Sequence, residues 1–290
     1  MTITSEMVRD LREKTGCGMM DCKRALTETS GDMEKAVDAL RKKGLATAAK
    51  KAERVATQGV VVSYLDMKSG IGVLLEVNCE TDFVAKNPDF QKFAKDIIAH
   101  IAKNKPADIS ALLNQNFASD PGKTVSDAIK EMIAKFGENI LIGRFSVFET
   151  SKGLMECYIH LNGKIGVLVE LESDKEINDD VKILAKDISL QIAASRPSVI
   201  AKEEVPSETL MHERDILKAQ ALTEGKPEKI IDKMVEGRLG KFYSEFCLME
   251  QPFIKDPAKK IADIVKETSS KTGGKIFVKK FTRYQIGEKS

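Results

Sequence analysis

GIGVLLEV, residues 70 to 77, returns as KIGVLVEL at residues 164 to 171, and the reading of that pair decides the fold. In each copy branched and apolar residues run almost unbroken, with Ile71 falling on Ile165, so both read as mostly buried β-strands. The repeat continues downstream. KFAKDIIAHIA (92 to 102) is matched by ILAKDISLQIA (183 to 193), with Lys95-Asp96 on Lys186-Asp187. Phe90, Phe93, Ala94, Ile97, Ile98 and Ile101 recur at helical spacing and mark the inner face of an amphipathic helix. Upstream, VVVSYL (60 to 65) and LMECYIHL (154 to 161) are each placed to form a hairpin with the matched strand. Each half then adds a later helix and a closing strand: Val125 to Phe136 with ILIGRFSVFE, and Ile261 to Val265 with KIFVKKFTRYQI. Two tandem α+β units on one plan follow.

Around this repeat the chain carries two other kinds of segment. Before it, Ser5 is placed to cap a helix with Val8 and Leu11 inward. Met19, Met20, Cys22, Ala25 and Leu26 belong to a second helix, and Asp32 caps a third that ends near Gly44. Three short helices make a small tethered module over residues 1–42, joined to the core by a helical linker over 43–57. The first core unit covers 58–148. The second is split into 149–198 and 244–290 by an insertion over 199–243, where two helices flank Glu224-Gly225-Lys226-Pro227 and Ile230, Ile231, Met234, Val235, Leu239 and Phe242 share one stripe. An antiparallel helical hairpin is expected there, and its stripe is a candidate surface for self-association.

The copies also differ between strand and helix. Val77 to Phe90 spans thirteen positions and Leu171 to Val181 spans ten, so the first copy has three extra residues. They fall around Thr81-Asp82-Phe83-Val84, where the second copy reads ESDKEINDD without an aromatic. Because the fold makes this connection once without a phenylalanine, Phe83 is not required by the turn. Two readings stay open: Phe83 tucks back onto its own helix while Thr81 or Asp82 caps the first turn, or it is an exposed aromatic wedge beside a carboxylate, the composition of a binding hot spot.

Composition narrows the function. The 290 residues carry a formal charge of +2, which argues against a dedicated nucleic-acid binder. The basic run Lys42, Lys43, Lys50, Lys51 and Arg54 has no interleaved aromatics and reads as a solvated linker helix. Cys17, Cys22, Cys79, Cys157 and Cys247 are odd in number, with no Cys-x-x-Cys pair, and suit neither a disulfide framework nor a zinc site. No apolar run approaches membrane-spanning length, and a cytoplasmic protein is expected. His100, His160 and His212 are scattered, and no hydrolase or zinc-protease motif is present. Pro121-Gly122-Lys123-Thr124 imitates the tail of a phosphate-binding loop, but the earlier glycine is Phe117 and no preceding strand is expected. Thr124 with Asp127 reads as a capping pair instead. A binding protein without metal, cofactor or catalytic residues is the favoured class.

LREKTGCGMMDCKRAL near the start, AAKKA in the linker, EVNCETDFVAKN in the first unit, YIHLNGKIGVLVE in the second, and KMVEGRLGKF followed by QPFIKDP closely resemble the elongation factor Ts family, in order, from about residue 3 to 287. The resemblance implies a non-enzymatic guanine-nucleotide exchange factor that binds elongation factor Tu, in its GDP-bound and nucleotide-free forms, and regenerates the GTP form for translation elongation. It also implies an N-terminal module like ubiquitin-associated domains, a two-part core and an inserted coiled coil through which the complex could dimerise. Thr81, Asp82, Phe83 and Val84 map onto the family segment that disturbs the GTPase's Mg²⁺ and phosphate site. Arg12, Met19, Met20 and Lys23 map onto the contact made by the N-terminal module. His160, Ile254 and Lys255 map onto contacts with another partner domain. The alternative is a ribosome- or RNA-associated factor using the basic linker, marked by RNA affinity that falls steeply with salt.

Overall fold

The computed structural model describes residues 3–51, 53–225 and 227–288; the side chains of residues 45–50, 228 and 229 lie outside that description. Helices α1 (Ser5–Thr15), α2 (Met19–Glu28) and α3 (Met33–Lys51) form the N-terminal module. Its core is Val8, Leu11, Cys22, Ala25, Leu26, Ala36 and Leu40. Two details depart from the sequence reading. Thr4, not Ser5, caps α1, its hydroxyl accepting from Met7 N at 3.2 Å. Helix α3 does not stop near Gly44, which is buried, but continues to Lys51. The linker is helical only to that point; residues 55–57 are not helical.

The first unit contains β1 (Gln58–Asp66), β2 (Ile71–Cys79), α4 (Asp82–Ala85), α5 (Pro88–Asn104), α6 (Ile109–Asn114), β3 (Asn116–Phe117), β4 (Asp120–Thr124), α7 (Val125–Phe136) and β5 (Leu141–Glu149). Strand β2 is central, antiparallel to β1 on one side and β5 on the other. The second unit repeats this with β6 (Leu154–His160), β7 (Ile165–Ser173), α8 (Asp179–Ser195), then the inserted α9 (Ser207–Thr223) and α10 (Glu228–Phe246), then β8 (Pro252–Phe253), β9 (Asp256–Lys260), α11 (Ile261–Thr272) and β10 (Ile276–Gln285). Its sheet order is β6, β7, β10, with β7 central. The fold is α+β.

The apolar runs of the central strands follow from burial on both faces. Val73, Leu75 and Val77 of β2 pack beneath α5 and α7, as Val167, Val169 and Leu171 of β7 pack beneath α8 and α11. The opposite faces meet each other: Val61, Leu74 and Phe148 from one sheet interlock with Met155, Leu168 and Tyr284 from the other. The stack is helix, sheet, sheet, helix. Close approach of the sheets depends on Gly166, since a Cβ there would lie 2.4 Å from a methyl of Val61. Where the repeat places glutamates in this interface, cations meet them. Arg144 Nε lies 2.8 Å from Glu76, and Lys279 and Lys280 lie 3.4 and 3.3 Å from the fully buried Glu170.

The inserted helices pack through Leu217, Ala221, Ile231, Val235 and Leu239, an antiparallel hairpin as the sequence predicts. Ile230 departs from the predicted stripe and is exposed, and Lys226 of the connecting turn lies outside the described residues. The roots are clipped together: Ser198 N donates to Phe246 O, and Leu248 N to Val199 O, each at 2.9 Å. A further departure concerns Pro121 to Thr124. This stretch belongs to β4 and is preceded by β3, a hairpin that sequence reading missed. Thr124 and Asp127 form the expected capping box at the start of α7.

Candidate functional site

The three extra residues of the first copy make the single turn α4. Thr81 caps it, accepting from Val84 N at 3.4 Å, and Val84 and Ala85 turn inward against the core. Helix α5 then starts from Asn87, whose counterpart Asn178 caps α8, so the two units are back in step within a few residues. The inward pair anchors the turn, and Phe83 points away from it. Phe83 is 82% exposed, more than any other large apolar residue described. A turn this short has no stability of its own.

Its base is held from a distance. Glu138 accepts from Glu80 N at 3.1 Å, from Thr81 N at 3.0 Å and from the Thr81 hydroxyl at 2.5 Å. Glu80 in turn accepts from Asn139 N at 2.6 Å, and the Cys79 thiol donates to Thr81 O at 3.1 Å. Burial, with Glu138 adding to it, pushes the Cys79 thiol up to about 12, so it remains protonated near neutral pH. Asp82 is half-exposed and ion-paired to Lys86 at 2.6 Å; that hydrogen bond holds its carboxyl below the usual range. The result is a rigid base under an aromatic and an anion, both accessible.

Glu138 is the residue of this candidate site that sequence reading missed. A signal existed: the second copy has Gly273-Gly274-Lys275 where the first has Gly137-Glu138-Asn139, so the acid occurs only in the copy with the extra turn. Asp174, the counterpart of Glu80, accepts from Lys275 N at 2.7 Å and keeps the common part of the clasp.

The other predicted residues lie at separate places. Arg12, Met19, Met20 and Lys23 are exposed on the N-terminal module, neither methionine belonging to its core. His160 is exposed at the end of β6, stacked on Tyr158 and 2.8 Å from its hydroxyl. Beside it Leu161, also unpredicted, is exposed with φ +50°, a conformation leucine rarely adopts. Ile254 and Lys255 occupy the β8–β9 turn, where Ile254 N donates to Gln191 and Lys255 pairs with Asp187 at 2.6 Å. One cleft does join two of these regions: Asp82, Ala85 and Lys86 line it on one side, and Ile159 and Leu161 to Lys164 on the other.

The basic linker does not present a uniform cationic face. Lys43 pairs with Asp21 at 2.6 Å, Lys51 donates to the carbonyl of Gly137, and Arg54 lies 3.7 Å from Glu80; the side chain of Lys50 is outside the described residues. Among the described residues no cluster of histidine, cysteine and carboxylates could hold a metal, and no helix is long and apolar enough to cross a membrane.

The profile of the family described as Elongation factor TS matches residues 80–288. This chain belongs to the elongation factor Ts family. It is 49% identical over 286 residues to the elongation factor Ts of Clostridium novyi (strain NT), and 47% identical over 286 residues to that of Clostridium kluyveri (strain NBRC 12016). In both cases the match covers 99% of this chain and 93% of the relative. Membership places the chain among the nucleotide-exchange factors of translation elongation.

Proposed function

We propose that the chain binds elongation factor Tu and drives GDP release by presenting Phe83 and Asp82 to the Mg²⁺ and phosphate site of that GTPase. The observation that carries this reading is the exposed phenylalanine on a turn that the second copy lacks, over a base clamped by Glu138.

The mechanism needs no covalent step. A GTPase holds its nucleotide through backbone amides, a lysine and a bridging Mg²⁺. At nanomolar affinity that is about 12 kcal/mol, so release alone is slow. An exchange factor acts by favouring the nucleotide-free form, and it weakens the nucleotide by the same factor as the nucleotide weakens it. Burial of Phe83 in a pocket of the GTPase supplies about 1.5–3 kcal/mol toward that shift. Asp82 brings a negative charge to a place where metal and phosphate contacts are finely set. Because the turn is already shaped, little of this is spent on ordering it. Arg12, Met19, Met20 and Lys23 on the module, and His160, Ile254 and Lys255 on the second unit, hold the complex while the wedge acts.

The test is stopped-flow release of fluorescent GDP from elongation factor Tu. Phe83→Ala is expected to slow stimulated release about 30-fold, corresponding to the roughly 2 kcal/mol of an aromatic anchor, and Asp82→Ala to slow it less. Both are expected to melt like the parent. A Phe83→Ala chain that stimulates release normally would overturn the reading.

A further inference from the structure

The N-terminal module and the Phe83 turn share one support. Helix α3 packs along α7, and Gly44 meets Ala134 there. A Cβ on Gly44 would lie 2.9 Å from that of Ala134, inside any real contact. A cavity of about 220 Å³ flanks this contact, with Gly44 and Ala134 in its wall beside Thr15, Leu40 and Lys130. The hydrophobic cores of module and first unit remain distinct. The missing side chain at Gly44 sets the approach of the two helices at this seat, and the Lys135 side chain lying against Gly16 is a second contact of the module with α7.

Beyond the seat, the loop that ends α7 ties the same chain down. Lys51 donates to Gly137 O, Asn139 Nδ2 donates to Arg54 O at 2.7 Å, and Arg54 approaches Glu80 at 3.7 Å. The residue between Gly137 and Asn139 is Glu138, the clamp on Thr81. One three-residue loop thus holds the end of the module's helix and the base of the wedge.

We propose that α7 and residues 137–139 form a brace that fixes the N-terminal module relative to Phe83, with Gly44 as the positioning residue that lets the module seat. The proposal rests on the exchange-factor reading above. Its consequence is that module and wedge meet elongation factor Tu as one preset two-point surface. A module on a slack tether would reach its site only at the effective concentration its linker allows.

The experiment uses the full chain with Gly44→Leu. Leucine favours a helix interior over glycine, so α3 itself is not weakened. Solution X-ray scattering of the free protein is expected to show a larger radius of gyration with helical content retained. Affinity for nucleotide-free elongation factor Tu is expected to fall at least tenfold. Should the Gly44→Leu change unfold α3, seen as lost helical signal, a milder pair decides: Gly44→Ala alone lowers affinity, and Gly44→Ala with Ala134→Gly restores both compactness and affinity. Unchanged dimensions, or expansion with unchanged affinity, would overturn the brace, as would failure of the paired swap to restore binding. Failure of the exchange-factor reading looks different: the parent chain itself would not accelerate GDP release, while the scattering would still report whether Gly44 seats the module.

Discussion

The two core units are near copies in construction and unlike in two connections. Their internal matches reach individual hydrogen bonds. In the first, His100 is buried and lies 2.8 Å from Gln115, while its other ring nitrogen accepts from Ala118 N at 3.1 Å. In the second, Gln191 occupies the same helix position, donates to Gln251 at 3.1 Å and accepts from Ile254 N at 2.9 Å. Lys123 pairs with Glu131 across β4 and α7, as Lys259 pairs with Glu267 across β9 and α11. The departures are the extra turn α4 in one copy and the helical hairpin between α8 and β8 in the other. Structure that both copies need is shared, and the unshared parts project from it. An internal repeat therefore separates residues kept by the fold from those free for another purpose.

The largest expected effect comes from matched substitutions in the β–α connections. Ile177 is the apolar residue of the second connection, and unlike Phe83 it packs against its own core. Ile177→Ala is expected to lower stability by about 1–2 kcal/mol and leave stimulated GDP release nearly intact; Asp174→Ala should likewise spare release. Phe83→Ala should do the reverse. Thermal melts beside stopped-flow release separate the two, and parallel behaviour of Phe83→Ala and Ile177→Ala would break the comparison.

A smaller effect is expected at the buried polar pair. His100→Ala removes a buried ring and the hydrogen-bond partner of Gln115 and Ala118 N, and should cost about 1.5 kcal/mol in urea unfolding. His100→Gln imports the second unit's solution and should cost under half of that. If glutamine is no better than alanine, the two sites are not equivalent.

The smallest concerns the caps of the last helices. Thr124 accepts from Asp127 N at 3.1 Å, whereas the second unit has Lys260, a donor that bonds Glu250 instead. The Thr124 hydroxyl, first among its partners, holds the Asp127 carboxyl below its ordinary range. The native pKa is thus lower than the unfolded one, so this stabilisation is complete above the unfolded value near 4 and disappears as pH falls through the native value. Asp127→Asn is expected to cost about 1 kcal/mol at pH 7 and nothing below both pKa values, read from melts across pH. Lys260→Thr should gain a few tenths of a kcal/mol, the new cap offset by the lost exposed pair with Glu250.

The sequence by itself determined the repeat, the central strands, the amphipathic helices and the inserted hairpin. Those are periodic signals carried by neighbouring residues, and comparison of the copies singled out Phe83 without any coordinates. Lost from that reading were β3 and β8, two-residue strands too short to show any alternation. Only the tertiary structure decided that the two sheets stack through Leu74 and Leu168, that α3 passes Gly44 to lie along α7, and that Glu138 clamps Thr81. The physical reason is range. A strand or helix announces its buried face through spacing within a few residues, but a seat made by a missing Cβ, or a carboxylate reaching a backbone 57 residues away, exists only once the chain has folded.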